Sequence, residues 1–578
     1  MAMSRRRLLA ASIQVTSAAA AAGVLGGTGT AAASPAPGAG GEPSSAQPCG
    51  LWAEFRATPY THPQIPYVAR AGFDGGARHF PRHPVRANVL HYGAVPGGTP
   101  TRRLLSLEGG SADCAPAINR ALREVGEAGG GTVLVPPGTY RIDDVIQIGW
   151  SNTTLRGAGS GRTTLYATKS LTDAIGVYGS RYGGDKSSWS WAGGLVWMCP
   201  ADRYRTLTDA IRARNWPFEG WTGNKRDEFE VLAGVTAESP QGSWAVTVDD
   251  PHRLRPGDRV LLQYADDPAH GLLDHMSGDV EGTATYNWSD KSKLLSYVPY
   301  EWPARITSVR GHQVTFDRPL PLDTRQLWNP RITTCVPPMV NSGVEGLTIR
   351  MTPTPQSPHL LDKGYNGLVA QCTWDCWVDD VHAIDVDNGF LMVAAKATTF
   401  RRTRVSGRGS HHPYACREGA HDNLFEDFRI DQRTVIPAPP GTQLHGINVE
   451  GLSSYNVWSR GAMEMGTFDT HRGLPFANVR TDITVSNDGA HGGDASAGPL
   501  YGARFTHWNV TVTNGRAGCI KIDDIAPRSA TFAISTVTPF GQIDVPDFTG
   551  PLDSRLEAYG VPGAAPVNLY EAQRELLL

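Results

Sequence analysis

Apolar positions in the second half of the chain recur in short runs that share one pattern: two apolar or aromatic residues, two polar ones, then apolar, polar, apolar. The pattern is met in GVEGLTI from Gly343, CWVDDVHAI from Cys376, TTFRRTRV from Thr398, NLFEDFRI from Asn423, NVWSRGAM from Asn456, NVRTDITV from Asn478 and FTHWNVTV from Phe505. Its equivalent residues, Leu347, Val381, Thr403, Phe428, Gly461, Ile483 and Val510, lie 34, 22, 25, 33, 22 and 27 residues apart. Strand-length segments repeating at such intervals predict a solenoid of stacked β-coils. Asn423, Asn456 and Asn478 occupy one slot of the repeat, which predicts a ladder of stacked side chains at a turn.

The first half opens differently. Asp113 stands where it caps a helix whose apolar side runs Ile118, Leu122, Val125, and Gly129-Gly130-Gly131 ends it. Alternating strands follow in TVLVPPGTYRI and NTTLRGAG. A helix ahead of a strand stack covers an edge that would otherwise expose unpaired backbone. Over about residues 88–166 this order resembles the N-terminal part of the pectate-lyase-like superfamily. There G-A-x-G-D-G, a helix, G-G-G-T-V-x-x-P-P-G-x-Y and L-R-G-x-G follow one another, although Gly93-Ala94-Val95-Pro96-Gly97-Gly98 lacks the acidic residue. The resemblance implies an all-β fold, a right-handed single-stranded parallel β-helix with an N-terminal capping helix. Because that superfamily contains lyases, hydrolases and phage adhesins, architecture is implied more narrowly than activity.

Between about 200 and 332 the repeat fades, and GSWAVTVDDPHRLRPGDRVLLQY and PARITSVRGHQVTFDRPLPL read as hairpins. The expected organisation is a twin-arginine signal peptide at 1–33, a linker and N-terminal extension at 34–87, and coils with the capping helix at 88–199. An inserted β-rich module at 200–332, further coils at 333–528 and a tail at 529–578, with a closing helix in NLYEAQRELLL, complete it. The signal reading rests on SRRRLLA from Ser4, the Ala-rich run to Leu25 and Ala31-Ala32-Ala33. It predicts a secreted protein exported through the twin-arginine pathway. A net charge of −3 gives no electrostatic case for nucleic acid, and no later run approaches a spanning helix, so no membrane anchor is expected. The eight cysteines are too scattered to reveal pairing; Cys372 and Cys376 read as core thiols or a disulfide rather than a metal site.

The chemistry concentrates in GTFDTHRGLPF, Gly466 to Phe476. Counting back six residues from the three shared asparagines gives Arg417, Glu450 and Arg472, a column of alternating charge if the coils stack. His411, His412, Asp469 and His471 lie in the adjoining loops. By strand parity His445 is expected to pack inward with Ile447 and Val449, leaving Asn448 and Glu450 facing out. Elimination across an acidic sugar needs a cation for the carboxylate, a base and a proton donor. Arg472 with Arg417 and Arg480 suits the first task, and His471 is the candidate base. Hydrolysis needs two carboxylates, for which Glu450 and Asp469 stand. A non-catalytic glycan binder would use an aromatic platform, for which Trp374, Trp377, Trp458 and Trp508 are candidates, although tryptophan at coil positions reads first as core. Catalytic candidates are therefore His471, Arg472, Asp469 and Glu450; substrate-binding candidates are Arg417, His411, His412, Asn448 and Arg480. Asp488 and Asp494 are weak candidates for Ca²⁺. The expected partner is a polysaccharide substrate.

Overall fold

A computed structural model describes residues 49–97, 112–179, 184–435, 437–490, 492–493, 495–514, 526–535, 547–561 and 563–577. The signal segment, Asp494 and Cys519 lie outside these residues. Two long parallel sheets carry the repeat. The first runs from Val85–Asn88 through Gly131–Leu134, Thr153–Arg156 and Gly343–Met351 to each later repeat segment in turn, ending at Arg555–Glu557. The second starts at Ile146–Ile148 and passes through Val196–Met198, Leu368–Trp374, Asn388–Lys396, His412–Arg417 and Gly446–Val449 to Thr467–Thr470. Registers pair Leu347 with Val381, Val381 with Thr403, Gly461 with Ile483 and Ile483 with Val510, so the aligned slots are true rung positions.

The two adjacent polar residues of the pattern have a backbone cause. Gly346, Asp380, Arg402, Asp427, Arg460, Asp482 and Asn509, one per rung, hold φ between 50° and 63°. A single left-handed residue bends the strand and resets its alternation, so that apolar residues on both sides of the bend face the core. Phe425 and Phe428 around Asp427, and Val378 and Val381 around Asp380, are buried in the one cluster between the sheets. Gly461 keeps its rung free of a side chain because the Phe428 ring fills that space: a Cβ there would lie 2.1 Å from Phe428 Cζ.

The three asparagines form the expected ladder. Asn423 Nδ2 donates to Asn456 Oδ1 at 2.9 Å, and Asn456 Nδ2 donates to Asn478 Oδ1 at 3.0 Å. Each amide also bonds backbone, as in Thr398 N–H to Asn423 Oδ1 and Asn456 Nδ2 to Ala420 O, both 2.9 Å. All three residues are wholly buried.

The N-terminal helix spans Ala115–Glu127 and buries Ile118, Leu122 and Val125. Its cap position is Cys114, one residue later than expected, while Asp113 Oδ1 accepts from Ala115 N and Asp143 N and so ties the helix entry to the strand turn. Within the inserted stretch an antiparallel six-stranded sheet runs from Val231–Gly234 to Arg331–Thr333. The solenoid continues past residue 528, because Ala530–Phe532 and Arg555–Glu557 add two more rungs in what reads from sequence as a tail. The closing helix is Leu569–Glu575, capped by Asn568.

From residue 49 the N-terminal extension is a strap laid along the first sheet rather than a linker. Leu51 N donates to Glu557 Oε1 at 3.2 Å, Gln64 Nε2 to Asp553 O at 3.1 Å and Val68 N to Gln573 Oε1 at 2.8 Å. Further along, Gly72 N reaches Asp422 O, Phe73 N reaches Thr399 Oγ1, and Phe80 stacks on Trp377. Trp374, Trp377, Trp458 and Trp508 are all core residues. Cys372 and Cys376 are buried free thiols. Among the described residues no helix is long and apolar enough to cross a membrane.

Gly461→Ala forces a methyl group into the Phe428 ring and is expected to lower stability by about 1–3 kcal/mol. Asn456→Ala strips one link from a buried amide ladder and is expected to cost about 2 kcal/mol or more. Chemical denaturation of the purified variants measures both.

Candidate active site

The site is built on three successive rungs of the second sheet. Register pairs Ala415 with Asn448 and Asn448 with Asp469 on the outward face, and Tyr414 with Ile447 and Ile447 with Phe468 on the inward face. Two residues further along, the outward column reads Arg417, Glu450, His471. The third member expected there was Arg472. The count slips because the third rung carries one extra left-handed residue: Glu418 and Gly419, then Gly451 and Leu452, are matched by Arg472, Gly473 and Leu474. Arg472 therefore sits just past the column, with Nε 3.9 Å from Glu450 Oε2. Arg417 Nε donates to Glu450 Oε1 at 2.7 Å and Nη1 to Glu219 Oε2 at 3.0 Å, so this arginine is already held by two carboxylates.

Parity fails for His445. Gly446, at φ 131°, interrupts the alternation, and the imidazole turns outward and stacks on the ring of His412, centroids 4.8 Å apart and planes nearly parallel at 9°. Its Nδ1 donates to Ala490 O at 2.9 Å and stands 3.5 Å from Asp469 Oδ2. Asp469 is the hub of this part of the site. It accepts from Asn448 Nδ2 and lies 3.3 Å from His471 Nδ1. His412 Nδ1 lies 3.0 Å from Ser190 O, an oxygen that only accepts, so Nδ1 carries the hydrogen and Nε2 the lone pair. His411 Nδ1 is 3.0 Å from Asp362 Oδ2.

Arg480 does not reach the site. It is fully buried, its guanidinium placed over Trp458, Phe468 and Phe505 and bonded to Asp469 O, Thr470 Oγ1 and His507. This arginine supports the third rung from inside. Asp488 closes a turn, accepting from Gly466 N at 2.6 Å and Ser486 Oγ at 2.7 Å. The acidic pair Asp379 and Asp380 lies on the first sheet, bonded to Arg401, Arg402 and Ser160.

Above the column is a pocket. Its floor is His411, His412, Arg417, Asn448, Glu450, His471 and Arg472, and its walls come from segments outside the repeat: Lys186 and Trp191, His359 and Leu360, and Lys293 of the short helix Ser292–Leu295. These wall residues carry no periodic signal. Only His359 and Leu360 fall in a long interval of the repeat, the 34 residues between Leu347 and Val381, where a segment leaves the stack.

Protonation follows from burial and neighbours. Burial opposes ionisation of Glu450, but Arg417 and Arg472 outweigh it and hold the carboxyl below its ordinary range. Asp469 is likewise buried, and His445 and His471 hold it well below the usual carboxylate range. The same pairing works in reverse on His471, where Asp469 overcomes burial and favours the imidazolium. Burial and neighbouring imidazoles push His411 and His412 far toward the neutral ring, and bring His359 down to about 4. Burial raises Asp362 to about 6.

Residues 87–198 match the family described as rhamnogalacturonase A/epimerase, pectate lyase-like. No curated protein matches the chain. Among solved structures it is similar to the tailspike protein gp49 of Pseudomonas phage LKA1, at 13% identity over 78% of this chain and 70% of that one, with a TM-score of 0.42. The A-module of the Azotobacter vinelandii mannuronan C-5 epimerase AlgE6 is 11% identical over 82% and 86%, at 0.34. The catalytic unit of a GH87 alpha-1,3-glucanase from Streptomyces thermodiastaticus is 12% identical over 80% and 61%, at 0.29.

Glu450→Gln keeps the side chain's shape but removes the charge between Arg417 and Arg472. Breaking a buried pair of this kind costs about 3–5 kcal/mol, so the denaturation midpoint is expected to fall well below that of the parent protein.

Proposed function

We propose that this chain is a secreted carbohydrate-active enzyme, a right-handed parallel β-helix that cleaves glycosidic bonds of an acidic polysaccharide by β-elimination. The observation that carries the reading is the pocket's charge and protonation pattern. Lys186, Lys293, Arg417 and Arg472 line it against the carboxylate of Glu450, which suits a uronate-bearing chain. One imidazole is held charged and its neighbour neutral, and such divergence separates a proton donor from a base. A right-handed path is the one that parallel crossovers favour. The resemblance of residues 87–198 to the rhamnogalacturonase/epimerase family supports action on a pectin-like glycan.

In this reading Arg472 and the pocket lysines neutralise the uronate carboxylate, which acidifies the carbon-bound proton beside it. His412 Nε2 takes that proton. The bond to the leaving glycosidic oxygen breaks as the ring double bond forms, and His471, charged by virtue of Asp469, protonates the departing oxygen. His471 thus serves as the acid, and the base is the histidine two rungs away. Hydrolysis is less well supported: it requires a carboxyl group held protonated, whereas Glu450 and Asp469 are both held ionised. A binding-only role lacks its platform, since the coil tryptophans are buried.

His412→Ala and His471→Ala are each expected to lower turnover by about a hundredfold or more on a polyuronate, with folding retained by circular dichroism. Arg472→Ala is expected to lose a similar amount. Products absorbing in the ultraviolet, from the new double bond, support elimination. Saturated reducing ends, or solvent hydrogen exchanged into an uncut chain, would overturn it. Export is tested separately: replacing Arg5 and Arg6 by Lys is expected to retain precursor in the cytoplasm, and unchanged secretion of that variant would remove the twin-arginine route.

A further inference from the structure

Beside the proposed acid and base lies a second grouping of imidazoles that the elimination leaves unused. His359, His411 and His445 each offer a ring nitrogen, and these nitrogens lie within 4.8 Å of one another. Ring centroids are 5.1 Å apart for His359 and His411, 5.1 Å for His411 and His445, and 6.3 Å for His359 and His445. Three imidazoles crowded in a buried place repel one another if protonated and gain little by stacking if neutral, so the arrangement lacks a reason within the fold alone. We propose that His359, His411 and His445 form a three-histidine site for one divalent transition-metal ion of the zinc class, with its open position toward the pocket.

The outer partners are those of a ligand set. His445 donates its Nδ1–H to the Ala490 carbonyl, which fixes the tautomer and leaves the lone pair on Nε2. The Asp362 carboxylate, with Oδ2 3.0 Å from His411 Nδ1, is placed to accept that ring's N–H in the same way. Carboxylate and carbonyl partners of this kind orient metal-binding histidines and raise their basicity. His411 Nε2 and His359 Nε2 are buried atoms with no hydrogen-bond partner. Nitrogen donors select zinc-class ions over calcium, whose sites are built of oxygen. A zinc–nitrogen bond is about 2.0–2.1 Å, so the rings must draw somewhat closer. His359 lies in the irregular stretch between Gly343–Met351 and Leu368–Trp374, where a shift breaks no strand ladder. Because His359 and His411 also line the pocket, the fourth position faces bound substrate, where it would take an anionic oxygen such as a carboxylate. The site does not depend on elimination being the reaction.

The test is metal binding by the full, untagged chain after stripping with chelator. Zinc titration followed by calorimetry, and cobalt titration followed by visible d–d absorption, should each end at one equivalent per chain, with no displacement by excess calcium. His359→Ala, at a half-buried position outside the strand ladders, and His411→Ala should abolish the cobalt spectrum. Asp362→Asn should weaken zinc about 10–100-fold, and His471→Ala should bind as the parent does. Absence of stoichiometric zinc binding in the parent chain would overturn the proposal. So would full binding by a folded His359→Ala, or loss of binding in His471→Ala with His359→Ala unaffected, which would move the ion to the grouping of His412, His445, Asp469 and His471. Polyuronate cleavage by metal-free protein would leave the metal site standing and separate the two readings.

Discussion

A parallel stack has no hairpin turns to set its register, so something else must stop each coil from sliding along the last. Here that constraint is the buried amide ladder of Asn423, Asn456 and Asn478. Each amide satisfies both the next amide and the turn backbone, and an offset of one residue would leave several polar groups unpaired in a dry interior. With the turn pinned, every side chain a constant distance away is pinned also. Arg417 and Glu450, each six residues before its asparagine, are one such set; His471, seven before Asn478, joins their column across the extra left-handed residue of the third rung.

The polar face that results is more buried than a solvated charge column would be. Arg417 lies between Glu219 and Glu450, and Asp469 is wrapped by Asn448 and two imidazoles. Groups so tightly partnered lose little freedom when a substrate arrives, and they set opposite protonation on neighbouring rings. Such preorganisation is what a proton-transfer site needs. It also gives a role to the short helix Ser292–Leu295 and the loops around residues 186 and 359, which wall a face that the solenoid alone would leave open.

Rung positions were legible because the repeat is a direct print of the bent strand: two polar residues at the left-handed bend, apolar residues either side. The column was legible for the same reason. Where the reading missed, a backbone irregularity intervened. The extra residue at Arg472 moved His471 into the column, and Gly446 turned His445 outward. Arg480 misled because an arginine on a strand reads as exposed, whereas here aromatic faces and carbonyl oxygens solvate it within the core. The pocket walls were illegible, since Trp191, Lys293 and His359 come from segments without periodicity and meet the column only through the tertiary fold. The two added rungs past residue 528 are short, Ala530–Phe532 and Arg555–Glu557, too brief to show a pattern.

The strap along the first sheet has a wider meaning. In a simple solenoid each coil touches only its neighbours, and the ends fray because terminal coils have half the contacts. In this chain residues near the start are bonded to Asp553, Glu557 and Gln573 near the finish, and on the way to coils in the middle of the stack. The last coils therefore cannot peel away without also releasing a segment anchored at the centre. A one-dimensional array is thereby turned into a closed circuit of contacts, which ties the release of the last coils to that of the central ones.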